Sequence, residues 1–539
     1  MDRCNVAAAV IGAIFFGVSL SAYGAEDYTQ WAHACNITLN SSATGANVAT
    51  QQLGFPVLVR LTSTTPAFSF AQTQAGGQDI RFSKADGTHI PYQIERFDQT
   101  NQVAEIWVKA DVNGNDNSQY ISMYWGNGTA VDSSNGAAVF NNGFVGAWHL
   151  NETGNINANG YADATGATPL TGVGMVAGDD TIAVIGKGQN FGSANVSNIL
   201  AGVTGKYLAA AAGPSETGKS ITAMIWTQLT GAASQQYIFN QGSAGGNRWD
   251  LGVNPTNPFP FEFDVIDHTS GNFATDVAGM DANWHLWAVT YDTLTPANPA
   301  LAGAVAEGPV GTFIDQTVPA NNVTANDMTL IRAVPAVNDA YYFGNATTFR
   351  ALGIHLGTTG TGVWTITWEY WNGGAWTALG GVLDGTKNTA GGNTGSLTLS
   401  GSVSFTQPPN WATTTVDGIA AFWIRARLSA FTSVTTLPIG TQAVCGPTVT
   451  IWKDGNLAST SALWTRPTRS GEIDIATRTD HTLLFKGIVD EPSIAVGVRS
   501  ADWIKLCYQS QKPGASWQSF APKGPAAPII SVQPVSQTK

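Results

Sequence analysis

Short stretches in which apolar and polar residues alternate recur along almost the whole chain, separated by pairs such as Asp86-Gly87 and Asn127-Gly128. Alternation with a period of two residues is typical of β-strands that bury one face, and the glycine-containing pairs are typical of tight turns. Short strands separated by such turns form antiparallel sandwiches. The sequence therefore predicts an all-β protein that contains several β-sandwiches.

One of these strands is not followed by its expected hairpin partner. The stretch WHLWAVTYD (284–292) alternates, but the matching stretch PTVTIWKDGN (447–456), with its turn pair Asp454-Gly455, occurs far downstream. A surface loop is the place where an inserted domain is best tolerated. We therefore interpret residues 148–295 and 447–515 as two parts of one sandwich, interrupted by an inserted β domain at residues 296–446.

The inserted segment is rich in tryptophan. Its stretch VWTITWEYWNGGAWTAL (363–379) alternates, reaches the turn Asn372-Gly373-Gly374 and alternates again, which predicts a β-hairpin. We expect most of its tryptophans to be buried and one or two near the turn to be exposed. The pattern is similar to an all-β module of bacterial and phage surface proteins, and it indicates no function.

Residues 28–147 form the first unit. The stretches GFPVLVRL (54–61), GQDIRFSKADGTHIPYQIERFD (77–98) and QYISMYWGN (119–127) resemble an uncharacterised bacterial domain. That domain usually precedes laminin-G-like modules and, in some relatives, an ExbB/TolQ-type proton channel. The resemblance implies an architecture, and because the sequence has no channel helices we do not expect transport.

The two parts of the interrupted sandwich resemble the concanavalin A-like, laminin-G-like lectin superfamily. The stretches that carry the resemblance are AWHLNE, YADATG, SITAMIWTQL, WHLWAVTYD, TVTIWKDGN and FKGIVDEPSIAVGVRSADWIKLCYQSQ. The resemblance implies a jelly roll of two antiparallel sheets, closed by strands that are far apart in the sequence.

The same resemblance implies a structural calcium ion. Asp163 in YADATG and Asp490 in GIVDEPS lie where relatives in this superfamily often hold calcium. Calcium takes six to eight oxygen ligands, commonly from carboxylates and main-chain carbonyls. The alternative is that Asp490 caps a turn and Glu491 anchors the closing strand.

The stretch EIDI (472–475) resembles the E-x-D-x-x-E strand of the family 16 glucanases. Alternation places Glu472 and Asp474 on one face of the strand. Hydrolysis with retention needs two carboxyl groups about 5–5.5 Å apart. The third position is Thr477, which has no ionisable group, so the acid of that motif is missing.

The stretch GPSETGKS (213–220) has the letters of a phosphate-binding P-loop. That site needs a helix after the loop, whereas the following ITAMIWTQ alternates like a strand. The sequence has no zinc-binding HExxH and no nucleophile elbow. We therefore predict no catalytic and no cofactor-binding residue, and expect a protein that is not an enzyme.

Composition and the amino terminus indicate where the protein acts. Charged residues are 12% of the chain and the net charge is −12, so we expect no nucleic-acid partner. Residues 1–24 contain Arg3, an apolar run and small residues, which predicts a signal peptide too short to span a bilayer. The expected location is secreted, extracellular or at the cell surface, with the periplasm as a further option, and no membrane span is expected.

Two features of the mature chain remain open at this stage. Cys35, Cys445 and Cys507 allow at most one disulfide, and the sequence does not tell whether one forms. Residues 516–539 are assigned to a Pro-rich carboxyl-terminal tail, which we expect to be mobile from Ala521 onward.

Together these features predict a secreted or cell-surface bacterial binding or adhesion protein. Its lectin-like domain would recognise a glycan or an extracellular surface protein, since aromatic side chains stack on sugar rings. A structural subunit that self-assembles into an extracellular fibre or surface layer is one alternative. A glycoside hydrolase on the same jelly-roll fold, with an unfamiliar site, is the second.

Overall fold

The computed structural model describes residues 26–192, 205–214, 220–231, 235–243, 248–253, 261–267, 271–277, 279–292, 300–308, 311–322, 326–384, 386–387, 395–398, 401–445, 448–462, 471–481 and 483–524. Within these residues the strands form six sheets in which every ladder is antiparallel, and the predicted all-β class is confirmed. The predicted signal peptide and most of GPSETGKS lie outside the described residues.

The amino-terminal unit is a sandwich of two small sheets. Short 3₁₀ turns at Tyr28–Gln30 and Phe70–Gln72 accompany its strands. The elements are β1 (His33–Leu39), β2 (Gln52–Thr62), β3 (Arg81–Lys84), β4 (Tyr92–Asp98), β5 (Val103–Val112), β6 (Tyr120–Trp125) and α1 (Gly136–Val139). The sheet β2-β5-β4 packs against a sheet that contains β3, β6 and β1. Their alternating apolar residues, including Val57, Ile106 and Met123, share one buried core.

The next eleven strands belong to the jelly roll. They are β7 (Phe144–Ala147), β8 (Thr171–Val173), β9 (Asp180–Ile182), β10 (Lys187–Asn190), β11 (Tyr207–Ala210), β12 (Ile221–Leu229), β13 (Gln236–Gly242), β14 (Arg248–Val253), β15 (Phe261–Asp267), β16 (Gly271–Val277) and β17 (His285–Asp292). β12 follows Ser220 directly. The residues after GPSETGKS therefore form a strand, as predicted, and not the helix that a P-loop requires.

The inserted β domain consists of two further sheets. Its elements are β18 (Gly303–Glu307), β19 (Phe313–Asp315), α2 (Thr317–Asn321), β20 (Met328–Thr329), β21 (Ala340–Asn345), β22 (Ala351–Thr358), β23 (Thr361–Trp371), β24 (Trp376–Ala378), β25 (Leu383–Asp384), β26 (Gly401–Ser404), β27 (Thr413–Val416), β28 (Ile419–Thr436) and β29 (Ile439–Cys445). All sheet partners of β18–β29 belong to this same group of strands. The described strands of the insert therefore form their ladder hydrogen bonds with one another.

The predicted tryptophan hairpin is present as β23 and β24. Trp371 and Trp376 face each other next to the turn, with ring centroids 5.7 Å apart, and both are half-buried. The other four tryptophans of the insert are buried: Trp364, Trp368, Trp411 and Trp423.

The chain re-enters the jelly roll after the insert. The remaining elements are β30 (Thr448–Lys453), β31 (Asn456–Ala462), β32 (Glu472–Ile475), β33 (Gly487–Val496), α3 (Ala501–Gln511) and β34 (Gln518–Pro522). β30 pairs with β17, with Trp287 opposite Lys453 and Asp292 opposite Thr448. The two halves of the jelly roll thus meet as neighbouring strands across the insertion point.

Two curved sheets make up the jelly roll. One has the order β31-β30-β17-β12-β33-β10-β9, with β7 beside β33, and the other has the order β16-β15-β14-β13-β32-β11-β8. Their inner faces meet in an apolar core, in which the rings of Phe261 and Trp287 stack with centroids 4.2 Å apart. Since β32 lies between β13 and β11, the second sheet also needs strands from both sides of the insert.

The carboxyl-terminal segment corrects one prediction. Gln518–Pro522 falls in the stretch assigned to the Pro-rich tail, and its last two residues in the part expected to be mobile, but it pairs with β1 at the edge of the amino-terminal sandwich. The helix α3, which was assigned to the jelly roll, packs on β2 and shares the amino-terminal core. The sequence pattern missed this strand because it is short and runs directly into a Pro-rich stretch. Residues 525–539 lie outside the described residues.

The described cysteines and helices bear on two further questions. Cys35, Cys445 and Cys507 are all buried and none forms a disulfide. Among the described residues, no helix combines the length and hydropathy needed to cross a bilayer.

Candidate functional site on the polar face of the jelly roll

The second sheet of the jelly roll has one apolar and one polar face, as the alternation in β32 predicts. Ile473 and Ile475 are buried in the core, so Glu472 and Asp474 project from the opposite face. On that side Asp474 lies next to Asn240 of β13, and Asn240 lies next to Asp250 of β14. We call this surface, formed by the outward side chains of β14, β13, β32 and β11, the polar face.

A histidine from the loop after β32 folds back onto this surface. The loop turns through left-handed residues, with φ of 69° at Ala476 and 56° at His481. The His481 ring stacks on Tyr207 of β11, with centroids 4.5 Å apart and planes 16° apart. Its Nε2 atom lies 3.2 Å from Glu472 Oε1 and 3.6 Å from Asp474 Oδ1. Glu472, Asp474 and His481 form what we call the acid–histidine cluster.

Asp474 is the buried member of this cluster. Its side chain is 0% exposed, and neither carboxyl oxygen has a hydrogen-bond partner among the described residues. Burial, together with the charges of Glu472, Asp250 and Asp480, raises the pKa of Asp474 to about 9. Asp474 therefore carries a proton at neutral pH, while Glu472 and His481, at 29% and 37% exposure, reach the solvent.

Charged neighbours surround the cluster on the polar face. Arg248 Nε donates to Asp250 Oδ2 at 2.7 Å, and burial raises the pKa of Asp250 to about 6. Arg478 forms an ion pair with Asp480, and its guanidinium lies 5.6 Å from the centroid of the Tyr237 ring. The surface thus offers hydrogen-bond donors and acceptors of both charges close to an aromatic pair.

The pH dependence of stability tests the state of Asp474. The folded protein keeps this proton up to a pKa of about 9, whereas the unfolded chain releases it near the ordinary value of 3.8. Between these two pH values Asp474 holds a proton in the folded state but not in the unfolded state. The contribution of Asp474 to the unfolding free energy therefore falls as the pH rises, by at most about 1.4 kcal/mol per pH unit. Asp474→Asn should remove this slope and melt roughly 5 °C or more above the wild type at pH 8, but close to it at pH 4. Thermal melts of both proteins from pH 4 to pH 8 measure this difference in melting temperature. A difference that does not change with pH would contradict a protonated Asp474.

Both predicted calcium ligands, Asp163 and Asp490, accept hydrogen bonds from the main chain. Asp163 acts as a loop cap, because its carboxylate accepts hydrogen bonds at 2.7–3.0 Å from Ala147, Thr165 and Thr168. Asp490 is buried and accepts from the Ile185 amide at 2.9 Å. Two groups of three potential metal ligands occur among the described residues, and neither contains Asp163 or Asp490. Calcium at these positions stays a prediction.

Sequence reasoning missed two residues of the site. His481 lies six residues after Ile475, beyond an irregular turn, so no fixed spacing connects it to Glu472. Tyr207 comes from a strand far upstream, and only the order β32-β11 brings it close. The one available signal was the Glu472–Asp474 alternation, which marks the polar face of the strand.

A concave surface lies on the amino-terminal sandwich. This aromatic groove has a volume of about 710 Å³. Its aromatic lining residues are Tyr28, Trp31, Phe68, Tyr124 and Trp125. Tyr28 stacks on Tyr124 with ring centroids 3.9 Å apart. Lys523 Nζ lies 4.4 Å from the centroid of the Tyr124 ring. The groove is therefore a competing location for a ligand with flat apolar faces.

The amino-terminal sandwich also contains a match to a known family. Residues 76–148 match the Domain of unknown function (DUF2341). The DUF2341 match runs from just before β3 to Trp148, so it ends at the residue that precedes His149. No curated protein matches the sequence.

Solved structures show only a distant likeness. Domain 4 of a GH43 extracellular arabinanase from Geobacillus stearothermophilus, in complex with arabinotriose, is 8% identical over 67% of this chain and 96% of that chain, with a TM-score of 0.29. The receptor binding domain of botulinum neurotoxin type G is 9% identical over 68% of this chain and 51% of that chain, with a TM-score of 0.30. Domains LG4-5 of the mouse laminin α1 chain are 12% identical over 59% of this chain and 92% of that chain, with a TM-score of 0.13. Likenesses of this size carry no argument about a ligand.

Proposed function

We propose that the protein is a secreted or cell-surface binding protein whose jelly roll recognises a glycan on its polar face. The observation that carries the proposal is the stacked Tyr207–His481 pair beside the solvent-accessible carboxylate of Glu472. These three side chains come from β11, β32 and the loop after β32, on the polar face where Asn240, Asp250 and Asp474 are themselves buried. Glu472 and His481 are partly exposed, so a ligand can reach them from solvent.

The chemistry of these groups fits a sugar ring. A pyranose has an apolar face that stacks on aromatic rings and equatorial hydroxyl groups that donate and accept hydrogen bonds. Glu472 offers charged acceptor oxygens, which make stronger hydrogen bonds than neutral ones. The Arg478–Asp480 ion pair, half-buried at the same edge, adds donors and acceptors beyond the aromatic pair.

The same geometry favours binding over hydrolysis. A retaining glycosidase brings two carboxyl groups into contact with the scissile bond. Asp474 is completely buried, so of the two carboxyl groups on β32 Glu472 alone can contact a ligand. The cluster also differs from the glucanase motif in its third member. His481 contacts both carboxyl groups but does not belong to the E-x-D-x-x-E motif that Glu472 and Asp474 resemble. We propose a protein without glycosidase activity, and reducing-sugar release that disappears in Glu472→Gln would contradict this.

A glycan array of the intact protein tests the proposal. We expect binding of at least one glycan class, reduced tenfold or more by Glu472→Gln, because a charged hydrogen bond contributes about 1.5–3 kcal/mol. The matched control is Asp180→Asn, which removes one negative charge from an exposed ion pair with Lys187 elsewhere on the jelly roll. Asp180→Asn should bind like the wild type. If no glycan binds, and light scattering shows assembly that grows with concentration, the structural-subunit alternative is favoured instead.

A further inference from the structure

A second group of ionisable side chains lies where the amino-terminal sandwich meets the jelly roll. Glu95 comes from β4, His149 from the segment after β7, and Glu491 from β33. His149 Nδ1 lies 2.9 Å from Glu491 Oε1 and 3.5 Å from Glu95 Oε2. One donor atom from each residue lies within 4.8 Å of the other two. We call these three residues the joint cluster.

The joint cluster is buried and contains an unsatisfied oxygen. The side chains of Glu95, His149 and Glu491 are 0%, 8% and 8% exposed. Trp107 Nε1 donates to Glu95 Oε2 at 2.7 Å, but Glu95 Oε1 has no hydrogen-bond partner among the described residues. Burying a carboxylate oxygen without a hydrogen-bond partner costs free energy, and a bound cation or a proton would reduce that cost.

Among the described residues, no arginine or lysine forms an ion pair with Glu95 or Glu491. The nearby Arg60 is half-buried, and its Nη2 donates to the main-chain oxygens of Val184 at 2.9 Å and Gln511 at 2.5 Å. Asp490, next to Glu491, is also buried. A bound cation would offset the cost of burying the carboxyl groups of Glu95 and Glu491 side by side.

The backbone directs Glu491 toward the joint. The pairing of β33 with β12 shifts register opposite Met224–Trp226, which is a β-bulge. Within this bulge Glu491 has a φ of 51°, a left-handed conformation that is unusual for a residue with a side chain. Bulges re-aim side chains, and strained residues of this kind concentrate at functional sites.

We propose that Glu95, His149 and Glu491 bind one zinc-type divalent ion that ties the amino-terminal sandwich to the jelly roll. An imidazole nitrogen with carboxylate oxygens is a typical zinc ligand set, at about 2.0–2.2 Å from the ion. Ligand atoms around a tetrahedral zinc ion lie about 3.3 Å apart, close to the separations of 2.9 and 3.5 Å from His149 Nδ1. The second ring nitrogen of His149 faces Gln93 Oε1 at 3.2 Å, an outer contact that orients a ligating histidine. Calcium would prefer an all-oxygen site.

Metal content and thermal stability of the intact protein test this proposal. After treatment with a chelator and dialysis against excess zinc, the wild type should retain one zinc per chain by elemental analysis. Its melting temperature should rise by about 5 °C or more when zinc is added, and chelator should reverse the rise. Glu95→Gln should abolish both zinc retention and the rise in melting temperature. Without metal this variant should melt at or above the wild type, because the change removes a buried group that can ionise.

The matched comparison is Glu472→Gln, which alters the other group of three potential ligands. This variant should keep one zinc per chain and the zinc-dependent stabilisation. Three results would overturn the proposal: a wild type that retains no zinc, zinc retention unchanged in a cooperatively folded Glu95→Gln variant, or zinc retention lost in Glu472→Gln. If Glu95→Gln does not fold, His149→Gln replaces it with the same expected results.

Discussion

Replacement of Trp503 by alanine is expected to lower the unfolding free energy of the amino-terminal sandwich by about 3–5 kcal/mol, the usual cost of removing a buried aromatic side chain. Trp503 lies on α3 and is 4% exposed. Its ring meets Phe55 of β2 edge-on at 4.9 Å, and the guanidinium of Arg499 lies 4.1 Å from its centroid. Truncation to alanine would leave a cavity in a core shared by segments from both ends of the chain.

Hydrogen bonds hold α3 against β2, so the site cannot easily collapse around that cavity. Asp502 accepts hydrogen bonds from the amides of Ala49 and Thr50 at 3.1 and 2.8 Å. Ser510 Oγ accepts from the Leu58 amide at 3.0 Å. A rigid surrounding relaxes little, which places the expected loss toward the upper end of the range.

Chemical denaturation followed by tryptophan fluorescence and far-UV circular dichroism measures the loss. Gln509→Ala on the same helix is the control, because Gln509 is half-buried and alanine keeps the helix propensity. It should change the unfolding free energy by less than about 0.5 kcal/mol. An equally small effect of Trp503→Ala would mean that α3 does not complete the amino-terminal core.

Excision of the insert is expected to leave the rest of the protein folded. Replacement of residues 296–446 by a short Gly/Ser linker keeps β17 and β30, which already pair along six residues of each strand. The sheets of the insert contain no strand of the jelly roll, and the free energy of closing a loop grows only slowly with its length. The shortened chain should therefore show one cooperative jelly-roll transition.

The interactions between the insert and the jelly roll are weak, so their removal should destabilise the jelly roll only slightly. Arg350 of the insert donates to Asp292 at 2.9 Å, and since Arg350 is 43% exposed this ion pair contributes about 1 kcal/mol or less. β22 and β26 also pack on β31, so a decrease of a few degrees in melting temperature is expected. A chain truncated after residue 446 is the opposite control. It lacks β30, β32 and β33, and should lose the jelly-roll transition completely.

Much of this architecture follows from the local pattern. Alternation located the strands, and the similar patterns of 284–292 and 447–456 identified the partners on both sides of the insert. Such strand pairs can be predicted from the sequence because each strand must bury one face and hydrogen-bond to a neighbour. The position of β34 could not be predicted, since a five-residue strand at a sheet edge has too few alternating positions.

The sites were harder to predict because they depend on contacts between distant segments. Glu472 and Asp474 were identified from one strand, but Tyr207 and His481 join them only through sheet order and an irregular loop. In the same way Glu95, His149 and Glu491 lie on three separate stretches of the chain. Periodicity reports which face of a strand is buried. It does not report which strands lie side by side.

Glycan-array binding of the excised chain tests whether strands from both sides of the insert build one glycan-binding face. The intact and the excised chain should bind the same glycans, and Tyr207→Ala should abolish binding in both, whereas Tyr28→Ala in the aromatic groove should not. An excised chain that folds cooperatively but binds none of the glycans bound by the intact protein would rule out such a face. Binding that survives Tyr207→Ala and disappears in Tyr28→Ala would rule it out equally.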